Sequence, residues 1–486
     1  MNHPDNPIAR SQKVSTATKF YYGLGYSSRG IKDGLFQIFA FFYFSQVLGL
    51  DPGLAGLASM ISLIFDAVSD PIVGVISDGW KSEKWGRRHP FLFSSAIPLG
   101  ILTWLFFMPP ADLGQSGLFM WYLTFTILIR LVLTVFVVPF TSLGAELSTD
   151  YHERTTITAV RIMFASVVSP IIMIIGYLFF FKKTADIEHG LFNLAAYPRF
   201  AMFCGILMAL FILISAWKTR HVIPTLPKQS SKQKSMSFWD MIGGVKQAVK
   251  MKSFTSLVLS LITVYVSIGL GLVLSTYFGT YYFEFTSEQM ALLPIGAGVA
   301  GLLSMVLAPM MGRVFDKKKG LVISTILFAF FFTLPFNLRL SGLFPENGNP
   351  IILPIYIVIL IIAYSFTWVT FSLCNSMMAE VVDEYELQSN IRQEGLFFAF
   401  MSFAFKCSTG LGQFLAGILI TLIAFPTRAD ISENSEETIY NLGLIGGPVL
   451  LTLYLMSLIF IVGYPISKSR YKEIRAALDT NALSGN

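Results

Sequence analysis

Residues 54–78 read LAGLASMISLIFDAVSDPIVGVISD, an apolar run interrupted by Asp66 and Asp70. Because they are four residues apart, the two carboxylates project from one face of a helix. Ionised side chains are costly in hydrocarbon, so acids within a membrane helix normally face a bundle interior or an aqueous cavity and mark an ion path. The run leads into a loop, 79–90, that is rich in Lys and Arg. An acidic pair in a membrane helix beside a basic loop indicates a cation-coupled carrier.

Composition places the chain among membrane proteins. Of its 486 residues 54% are hydrophobic and 13% are charged, with 45 Phe and a mean hydropathy of +0.64. A soluble protein of this size could not bury so many apolar residues. The net charge of +6 could indicate a nucleic-acid partner, but the cations cluster in short segments between apolar runs, as in cytoplasmic loops. A lipid bilayer, and no nucleic acid, is therefore the expected partner.

Apolar runs and helix breakers predict twelve membrane-spanning helices. They are expected at 22–48, 54–78, 91–109, 117–144, 157–181, 198–217, 254–283, 288–312, 320–340, 351–379, 395–424 and 444–466. The polar start of the chain lacks the apolar core of a signal peptide, so the first helix itself is expected to direct insertion. Cys204, Cys374 and Cys407 lie within spans and do not indicate a disulfide framework.

Loop charges predict the orientation. The connections 49–54 and 110–117, after the first and third spans, contain no Lys or Arg, whereas the connections after even-numbered spans are basic. The N-terminal segment and the tail are basic too, and the pair Lys182 and Lys183 departs from the pattern without overturning it. By the positive-inside rule both termini are predicted to be cytoplasmic. The expected location is a cell membrane, the inner membrane of a bacterium.

The chain divides near its middle into two similar halves. The longest polar connection, 218–252, contains eight Lys or Arg and has six spans on either side. Gly-x-x-x-Asp at 74–78 precedes the first basic loop, and the same pattern at 312–316 precedes Lys317, Lys318 and Lys319. Two six-helix repeats are a common transporter plan. We expect an N-terminal bundle at 1–217, a cytoplasmic central loop at 218–252, a C-terminal bundle at 253–466 and a cytoplasmic tail at 467–486. Within the central loop, 237–250 is predicted to form an amphipathic interfacial helix.

The sequence resembles the major facilitator superfamily, and in detail its glycoside-pentoside-hexuronide:cation symporter branch, the melibiose permease-like carriers. The matching segments are DAVSDPIVG (66–74), KWGRRHP (84–90), PFTSLGAEL (139–147), HERT (152–155) and AEVVDEYELQSNIRQEG (379–395). They span nearly the whole chain, although Phe65 stands where the branch usually has Trp. The resemblance implies an all-α fold of twelve transmembrane helices in two pseudo-symmetric six-helix bundles.

The resemblance also implies a cation site. In this branch the acids matching Asp66 and Asp70 bind Na⁺, H⁺ or Li⁺ with help from a Thr on the fourth helix, where Thr134 stands here. Carboxylate and hydroxyl oxygens suit hard cations. The alternative interpretation is a structural ion pair that only holds helices together.

Arg130 is a candidate ion-pair partner in the middle of the fourth span. Counted from the outer ends of their spans, Arg130 and Asp66 lie at similar depths, so a salt bridge to Asp66 or Asp70 is feasible. A guanidinium there would compete with a metal cation for the same oxygens, which favours proton coupling over sodium. Pairing of Arg130 with an acid elsewhere is the alternative.

Arg161 and Lys406 match basic residues that the branch uses in its central cavity. Its sugar-binding acids are missing, because Gly30 and Val137 occupy the matching positions. Asp33, about one turn from Gly30, could replace the first acid, with Lys32 and Arg29 nearby. A galactoside such as melibiose is therefore expected to be a poor substrate, and another glycoside, or a uronate held by Arg29, Arg161 or Lys406, fits equally well.

Two aromatic residues and the loop motifs complete the candidate sites. Phe371 matches a cavity aromatic of the branch, and Trp368 lies near it; the alternative for both is packing or lipid contact. The expected conformational gate motifs contain Asp78, Arg87, Arg88 and Asp316. The acids at 380–386 are expected in a cytoplasmic connection, either solvated or in contact with Arg392.

We therefore expect a cation-coupled secondary symporter of a sugar, glycoside or uronate that works by alternating access. A lipid or lysolipid transporter on the same scaffold is the main alternative, and a non-transporting membrane sensor is a third. No phosphate-binding loop, metal-ligand cluster or nucleophile motif is present, so no enzymatic activity is expected. The expected partners are a small-molecule substrate and co-transported H⁺ or Na⁺, with no resident cofactor or metal, and the protein is expected to be monomeric.

Overall fold

The computed structural model describes residues 13–80, 82, 84–185, 187, 189–226, 246–427 and 434–484. Every regular element in these ranges is a helix. The long helices are α1 (Thr16–Leu35), α2 (Pro52–Gly79), α3 (His89–Phe106), α4 (Gln115–Glu146), α5 (Tyr151–Ile175), α6 (Ala196–Thr219), α7 (Lys252–Tyr277), α8 (Leu293–Val314), α9 (Lys317–Leu340), α10 (Ile352–Ser389), α11 (Glu394–Leu422), α12 (Glu436–Leu444, Ile445–Val449 and Leu450–Val462) and α13 (Lys468–Ser484). The predicted amphipathic helix at 237–250 lies largely outside the described residues.

The predicted twelve-helix membrane fold is confirmed. Within the described ranges, eleven helices are long and apolar enough to cross a membrane. The twelfth, α1, carries Arg29, Lys32 and Asp33, which lower its mean hydropathy. Two π-helical segments, Phe36–Ala40 and Tyr43–Val47, extend it to the length of a span.

Capping residues set several helix starts. Ser15 accepts a hydrogen bond from the Thr18 amide at the start of α1, and Asp150 does the same for the Glu153 amide at the start of α5. Ser435 caps α12 in the same way. Because of these caps, α1, α5 and α12 begin six to eight residues before the predicted spans, in polar sequence that an apolar-run criterion leaves out.

One predicted helix end is wrong by a larger margin. Helix α10 continues to Ser389, where Asn390 ends it in a left-handed conformation with φ of 56°, whereas the apolar run ends near 379. The acids at 380–386 therefore lie on the last turns of α10 and not in a connection. Their charges are tolerated there because Lys317, Arg392 and Arg475 pair with them.

Contacts group the chain into unit 1 (Met1–Leu50 and Ile64–Ser235) and unit 2 (Asp51–Leu63 and Met236–Asn486). In unit 1, α1 packs against α5 and α6, and α3 packs against α4 and α6. Glycines allow the closest approaches. A Cβ placed on Gly100 of α3 would lie 2.6 Å from the carbonyl oxygen of Gly205 on α6, so neither position has room for a side chain.

In unit 2, α7 packs against α11 and α12, and α10 packs against α8 and α9. The first residues of α2 belong to this unit, since a Cβ on Gly417 of α11 would lie 2.1 Å from the carbonyl oxygen of Pro52. An apolar cluster at the predicted cytoplasmic end joins α7, α10, α11 and α13 through Phe254, Met377 and Ile474. The tail is thus partly a folded helix of unit 2. The domain boundaries at 217, 252 and 466 stay predictions.

Candidate cation and substrate site

Asp66 and Asp70 lie one turn apart on α2, and Thr134 of α4 contacts both. The Thr134 hydroxyl oxygen is 3.0 Å from Asp66 Oδ1 and 3.0 Å from Asp70 Oδ1. Asp66 is 9% exposed and Thr134 is 2% exposed. A hydroxyl carries a single proton, so it cannot donate fully to two ionised carboxylates at once. A proton or a cation held by the pair would satisfy the second contact.

Pro71 shapes the helix at this point. It follows Asp70 directly and lies inside α2. Because proline has no amide hydrogen, the carbonyl of Ala67, between the two acids, loses the intrahelical donor that it would otherwise have.

Arg130 lies one turn before Thr134 on α4, and the predicted contact with the acid pair is present. Its Nη1 atom is 3.6 Å from Asp66 Oδ2. The same two helices thus present a hydroxyl and a guanidinium to the carboxylates. The guanidinium would compete with any metal cation for the oxygens of Asp66.

Helix α1 adds three ionisable side chains to unit 1. Asp33 accepts a hydrogen bond from Lys32 Nζ at 3.2 Å and lies 3.5 Å from Arg29 Nε. Arg29 is attracted also by Asp66 and Asp70, and Lys32 by Asp66. Lys32 was predicted only as a neighbour of Asp33 and not as a site residue. Its position beside Asp33, within four residues of Arg29, is the signal that could have identified it.

Arg161 of α5 lies against aromatic rings of α1. Its guanidinium is 5.1 Å from the centroid of the Tyr26 ring. Phe140 of α4 stacks on both Tyr22, with ring centroids 4.5 Å apart, and Tyr26, at 5.9 Å. A cation over an aromatic face is stabilised without a carboxylate partner. Neither Tyr26 nor Phe140 was predicted as a site residue.

The structure explains why the acid expected from the family resemblance is missing at Gly30. A Cβ at this position would lie 2.5 Å from the carbonyl oxygen of Ala165, where α1 crosses α5. No side chain fits there without moving the backbone. Asp33, the predicted substitute, lies nearby but is engaged by Lys32 and Arg29.

The remaining predicted substrate residues belong to unit 2. Trp368 is 50% exposed, and its ring centroid is 6.0 Å from that of Phe371. Tyr265 of α7 stacks on Phe371 at 5.7 Å and contacts Phe405 of α11 at 4.9 Å. Lys406, which is half-buried, follows Phe405 directly. Tyr265 thus contacts both α10, which carries Trp368 and Phe371, and α11, which carries Lys406.

The predicted gate residues of unit 1 form one cluster. Arg88 Nη2 is 2.7 Å from Asp78 Oδ1 and 2.6 Å from Glu146 Oε1, and Arg87 Nη2 is 3.0 Å from the same Glu146 oxygen. Arg88 also donates to Ser77 at 2.7 Å. Glu146, at the end of α4, joins the loop to the helix and was missed as a site residue.

Unit 2 contains a corresponding charge cluster, in which a tyrosine hydroxyl and a backbone amide also take part. Lys317 Nζ is 2.6 Å from Glu380 Oε1, and the Tyr464 hydroxyl donates to Glu380 Oε2 at 3.2 Å. Burial raises the pKa of Tyr464, so the hydroxyl keeps its proton as a donor. Asp316 accepts a weak hydrogen bond from the Lys468 amide at 3.4 Å. The expectation that the acids of 380–386 form a solvated face is wrong for Glu380, which is 6% exposed.

The contact predicted between Arg392 and these acids is present. Arg392 Nη1 is 3.2 Å from Asp383 Oδ1 and 2.7 Å from Glu386 Oε2. The hydrogen bond to Glu386 raises the pKa of Arg392, which therefore stays charged. Glu146 and Glu380 each follow an alanine at the predicted cytoplasmic end of the fourth span of their half. That repeated Ala-Glu pair is the signal that could have identified both.

Long membrane helices with paired ionisable groups buried inside a bundle define a helical membrane transporter. Comparison with known proteins agrees with this class. The isoprimeverose transporter of Lactiplantibacillus pentosus is 22% identical, and the match covers 85% of this chain and 82% of that protein. Sodium-dependent lysophosphatidylcholine symporter 1 of Gallus gallus is 25% identical over 96% of this chain and 90% of its own length. The inward open structure of the xylose transporter of E. coli superposes with a TM-score of 0.57 at 14% identity, over 95% of this chain and 98% of that one.

The MFS/sugar transport protein family matches residues 21–468, nearly the whole chain. The chain belongs to this family, and the resemblance to the major facilitator superfamily is confirmed.

Proposed function

We propose that the protein is a cation-coupled secondary active symporter of a sugar, glycoside or uronate that works by alternating access. The observation that carries the proposal is the contact of one hydroxyl, that of Thr134, with both Asp66 and Asp70. Two carboxylates and a hydroxyl that converge in a membrane bundle are suited to bind a proton or a small hard cation.

Coupling follows from the charge of this site. Without a bound cation the two carboxylates are held by Thr134 and, for Asp66, by Arg130 at 3.6 Å. A bound cation neutralises the pair, lowers the cost of moving it through a low-dielectric region and favours the state that also binds substrate. Because Arg130 competes with a metal ion more than with a proton, which bonds covalently to one oxygen, we favour H⁺ over Na⁺.

The family and the isoprimeverose transporter support a sugar-type substrate. The chicken lysophosphatidylcholine symporter, with similar identity, supports a lipid or lysolipid as the second candidate. The two candidate substrates differ in their chemical groups. A lysolipid contains an acyl chain and a phosphodiester, and a sugar contains neither.

The test is transport by the purified protein in proteoliposomes, with the variants Asp66→Asn and Asp70→Asn. Asn keeps the size of the side chain but cannot ionise, so each variant should lose cation-driven accumulation. Exchange of labelled for unlabelled substrate across the membrane should survive better, because it does not require the empty carrier to return. Asp112→Asn, an exposed acid in a loop, is the matched control and should accumulate substrate normally.

Normal accumulation against a gradient by both Asp→Asn variants would show that the acid pair is structural. Uptake of lysolipid without any response to sugars or uronates would replace the substrate assignment with the lipid alternative.

A further inference from the structure

The contact between Arg130 and the acid pair is long for a buried ion pair. Arg130 Nη1 lies 3.6 Å from Asp66 Oδ2, whereas a charge-assisted hydrogen bond between a guanidinium and a carboxylate is typically about 2.7–2.9 Å long. Thr134 is closer to the same carboxylate, with its hydroxyl 3.0 Å from Asp66 Oδ1. Only 14% of the Arg130 side chain is exposed, so protein groups must balance most of its charge. A guanidinium held at this distance can be shared with a second carboxylate.

Asp33 of α1 is the second carboxylate that attracts Arg130. Helix α1 contacts α4, the helix of Arg130. Among the carboxylates, Asp66 attracts the Arg130 guanidinium most strongly and Asp33 follows, and the charge of Arg130 acts on Asp33 in return. All three residues belong to unit 1. Arg130 therefore lies between a carboxylate of α2 and a carboxylate of α1.

Asp33 has acceptor capacity left for another donor. Lys32 Nζ is 3.2 Å from Asp33 Oδ1, and Arg29 Nε is 3.5 Å from Asp33 Oδ2. The second of these contacts is longer than a good hydrogen bond. Because an ionised carboxylate offers about four acceptor positions, these two contacts do not exhaust it. Asp33 can accept the Arg130 guanidinium while it keeps its contact with Lys32.

Cation binding changes the charges around Arg130. A proton or Na⁺ at the acid pair removes one negative charge from the immediate surroundings of the guanidinium. A buried charge that loses its partner is costly, which favours movement toward a carboxylate that does not take part in cation binding. Asp33 is such a carboxylate. Repulsion from Lys32 and Arg29 opposes the movement, so the balance between the two positions depends on whether Asp66 is neutralised.

We propose that Arg130 moves from Asp66 to Asp33 when a coupling cation binds at the acid pair, and that Asp33 is a positioning residue for coupling. The inference rests on the proposed symport function and adds a residue to it. It gives Asp33 a role other than replacing a sugar-binding acid, because Asp33 acts through Arg130 and not by contact with substrate. The movement transmits cation binding on α2 to α1, the helix that carries the predicted substrate residue Arg29.

A thermodynamic consequence follows for cation affinity. In the empty protein Asp66 balances Arg130, and in the cation-bound protein Asp33 does. The carboxylate of Asp33 therefore stabilises the cation-bound state, although the cation does not touch it. Removal of this carboxylate should weaken cation binding, and the effect should require Arg130.

The first experiment titrates the cation in the absence of any substrate. The purified full-length protein is unfolded by heat in a Na⁺ series balanced with choline and in a pH series without Na⁺. The increase in Tm gives the half-saturating concentration of the cation that binds. Asp33→Asn should raise this concentration on the order of 10-fold. Asp33→Glu keeps the carboxylate and should largely preserve the affinity, and Asp112→Asn, the exposed control, should leave it unchanged.

The second experiment is a double-mutant cycle. Arg130→Gln removes the competing charge and should by itself lower the half-saturating concentration. In that background Asp33→Asn should change the concentration by less than about 2-fold, because the guanidinium that Asp33 receives is absent. The charge-balanced variant Lys32→Gln/Asp33→Asn should weaken cation binding as Asp33→Asn does, and it replaces the single variant if that one does not fold.

The outcomes separate the inference from the proposed function. An unchanged cation response in Asp33→Asn overturns the inference and leaves a direct substrate contact as the role of Asp33. An equal effect of Asp33→Asn with and without Arg130 also overturns it, because Asp33 then acts on the cation directly. In both cases a loss of the response in Asp66→Asn leaves the proposed symport standing. If Asp66→Asn responds to the cation like the unmodified protein, or if the unmodified protein does not respond, both proposals fail.

Discussion

At the scale of single residues, the most informative feature is the Arg130 guanidinium, which lies beside the proposed cation site. Arg130 approaches Asp66 at 3.6 Å, and Thr134, one turn away on the same helix, contacts both carboxylates. The guanidinium of Arg130 stabilises the ionised form of Asp66. The hydroxyl of Thr134 stabilises the carboxylate that accepts its hydrogen bond. The preference for H⁺ over Na⁺ should therefore depend on both side chains, Arg130 and Thr134.

Arg130→Ala tests this balance. Without the guanidinium, a proton no longer competes with a fixed positive charge at the acid pair, so proton-driven uptake should persist to a higher pH. The optimum of substrate uptake should move upward by about one pH unit, the order expected for loss of a partly screened charge at this distance. The measurement is the initial uptake rate across a pH series, with Arg199→Ala as the exposed control. An optimum that stays in place or moves downward contradicts the proposed competition.

At the scale of elements, α10 and α13 show how polar residues extend helices beyond the apolar span. The last turns of α10 carry acids whose partners come from other elements, including Lys317 of α9 and Tyr471 of α13. Helix α13 turns one apolar face inward, where Ile474 is fully buried in the cluster of unit 2. Burial raises the pKa of Tyr471, so its hydroxyl remains a donor to Asp383. Docking of α13 thus combines apolar burial with hydrogen bonds.

Ile474→Ala should weaken that docking. Loss of a fully buried Ile side chain typically costs about 2–4 kcal/mol, and here the cost falls on the free energy of docking α13. Limited proteolysis and hydrogen exchange of the tail should show faster opening of α13, while the membrane helices keep their protection. Lys472→Ala, on the exposed face of the same helix, should change opening by less than about 0.5 kcal/mol. Equal protection in both variants would mean that Ile474 does not hold the helix.

At the scale of the whole molecule, two units carry related charge clusters after their second spans. In unit 1, Arg88 joins Asp78 to Glu146 of α4. In unit 2, Lys317 pairs with Glu380 of α10. In each unit, a basic residue that follows the second span pairs with an acid at the end of the fourth span of that half, as the internal repeat predicts. The loop charges also predict which side of the membrane these clusters face.

Cysteine labelling tests that orientation. Single cysteines introduced at Ser230 and Thr480, in a background without Cys407, should resist a membrane-impermeant reagent in intact cells because both positions are predicted to be cytoplasmic. Ser230 lies outside the described residues, whereas Thr480 lies on α13. Ala111→Cys, in an exposed connection predicted to be external, should react readily. Efficient labelling at 230 or 480 from outside would invert the proposed topology.

Much of the candidate cation and substrate site could be predicted because it consists of charged side chains within membrane-spanning helices, where an ionised group is costly. Asp66, Asp70 and Arg130 each interrupt an apolar run, so membrane energetics alone single them out. Lys32 was predicted only as a neighbour of Asp33 because it lies in a less apolar helix among other charges. Tyr26 was missed because aromatic residues are too common in this chain to stand out. Glu146 and Glu380 lie at span ends, where a charge needs no special explanation until its partner is known.

Sequence alone was sufficient for the membrane class, the number of spans, the internal repeat and the acid pair, because hydropathy and periodicity are local properties of the chain. Only the tertiary structure shows that Thr134 contacts both acids, that Gly30 has no room for a side chain beside Ala165, and that Arg161 rests on Tyr26 without a carboxylate partner among the described residues. These features join helices that are distant in the chain. Their distances depend on how the helices pack, and a local sequence pattern contains no information on that packing.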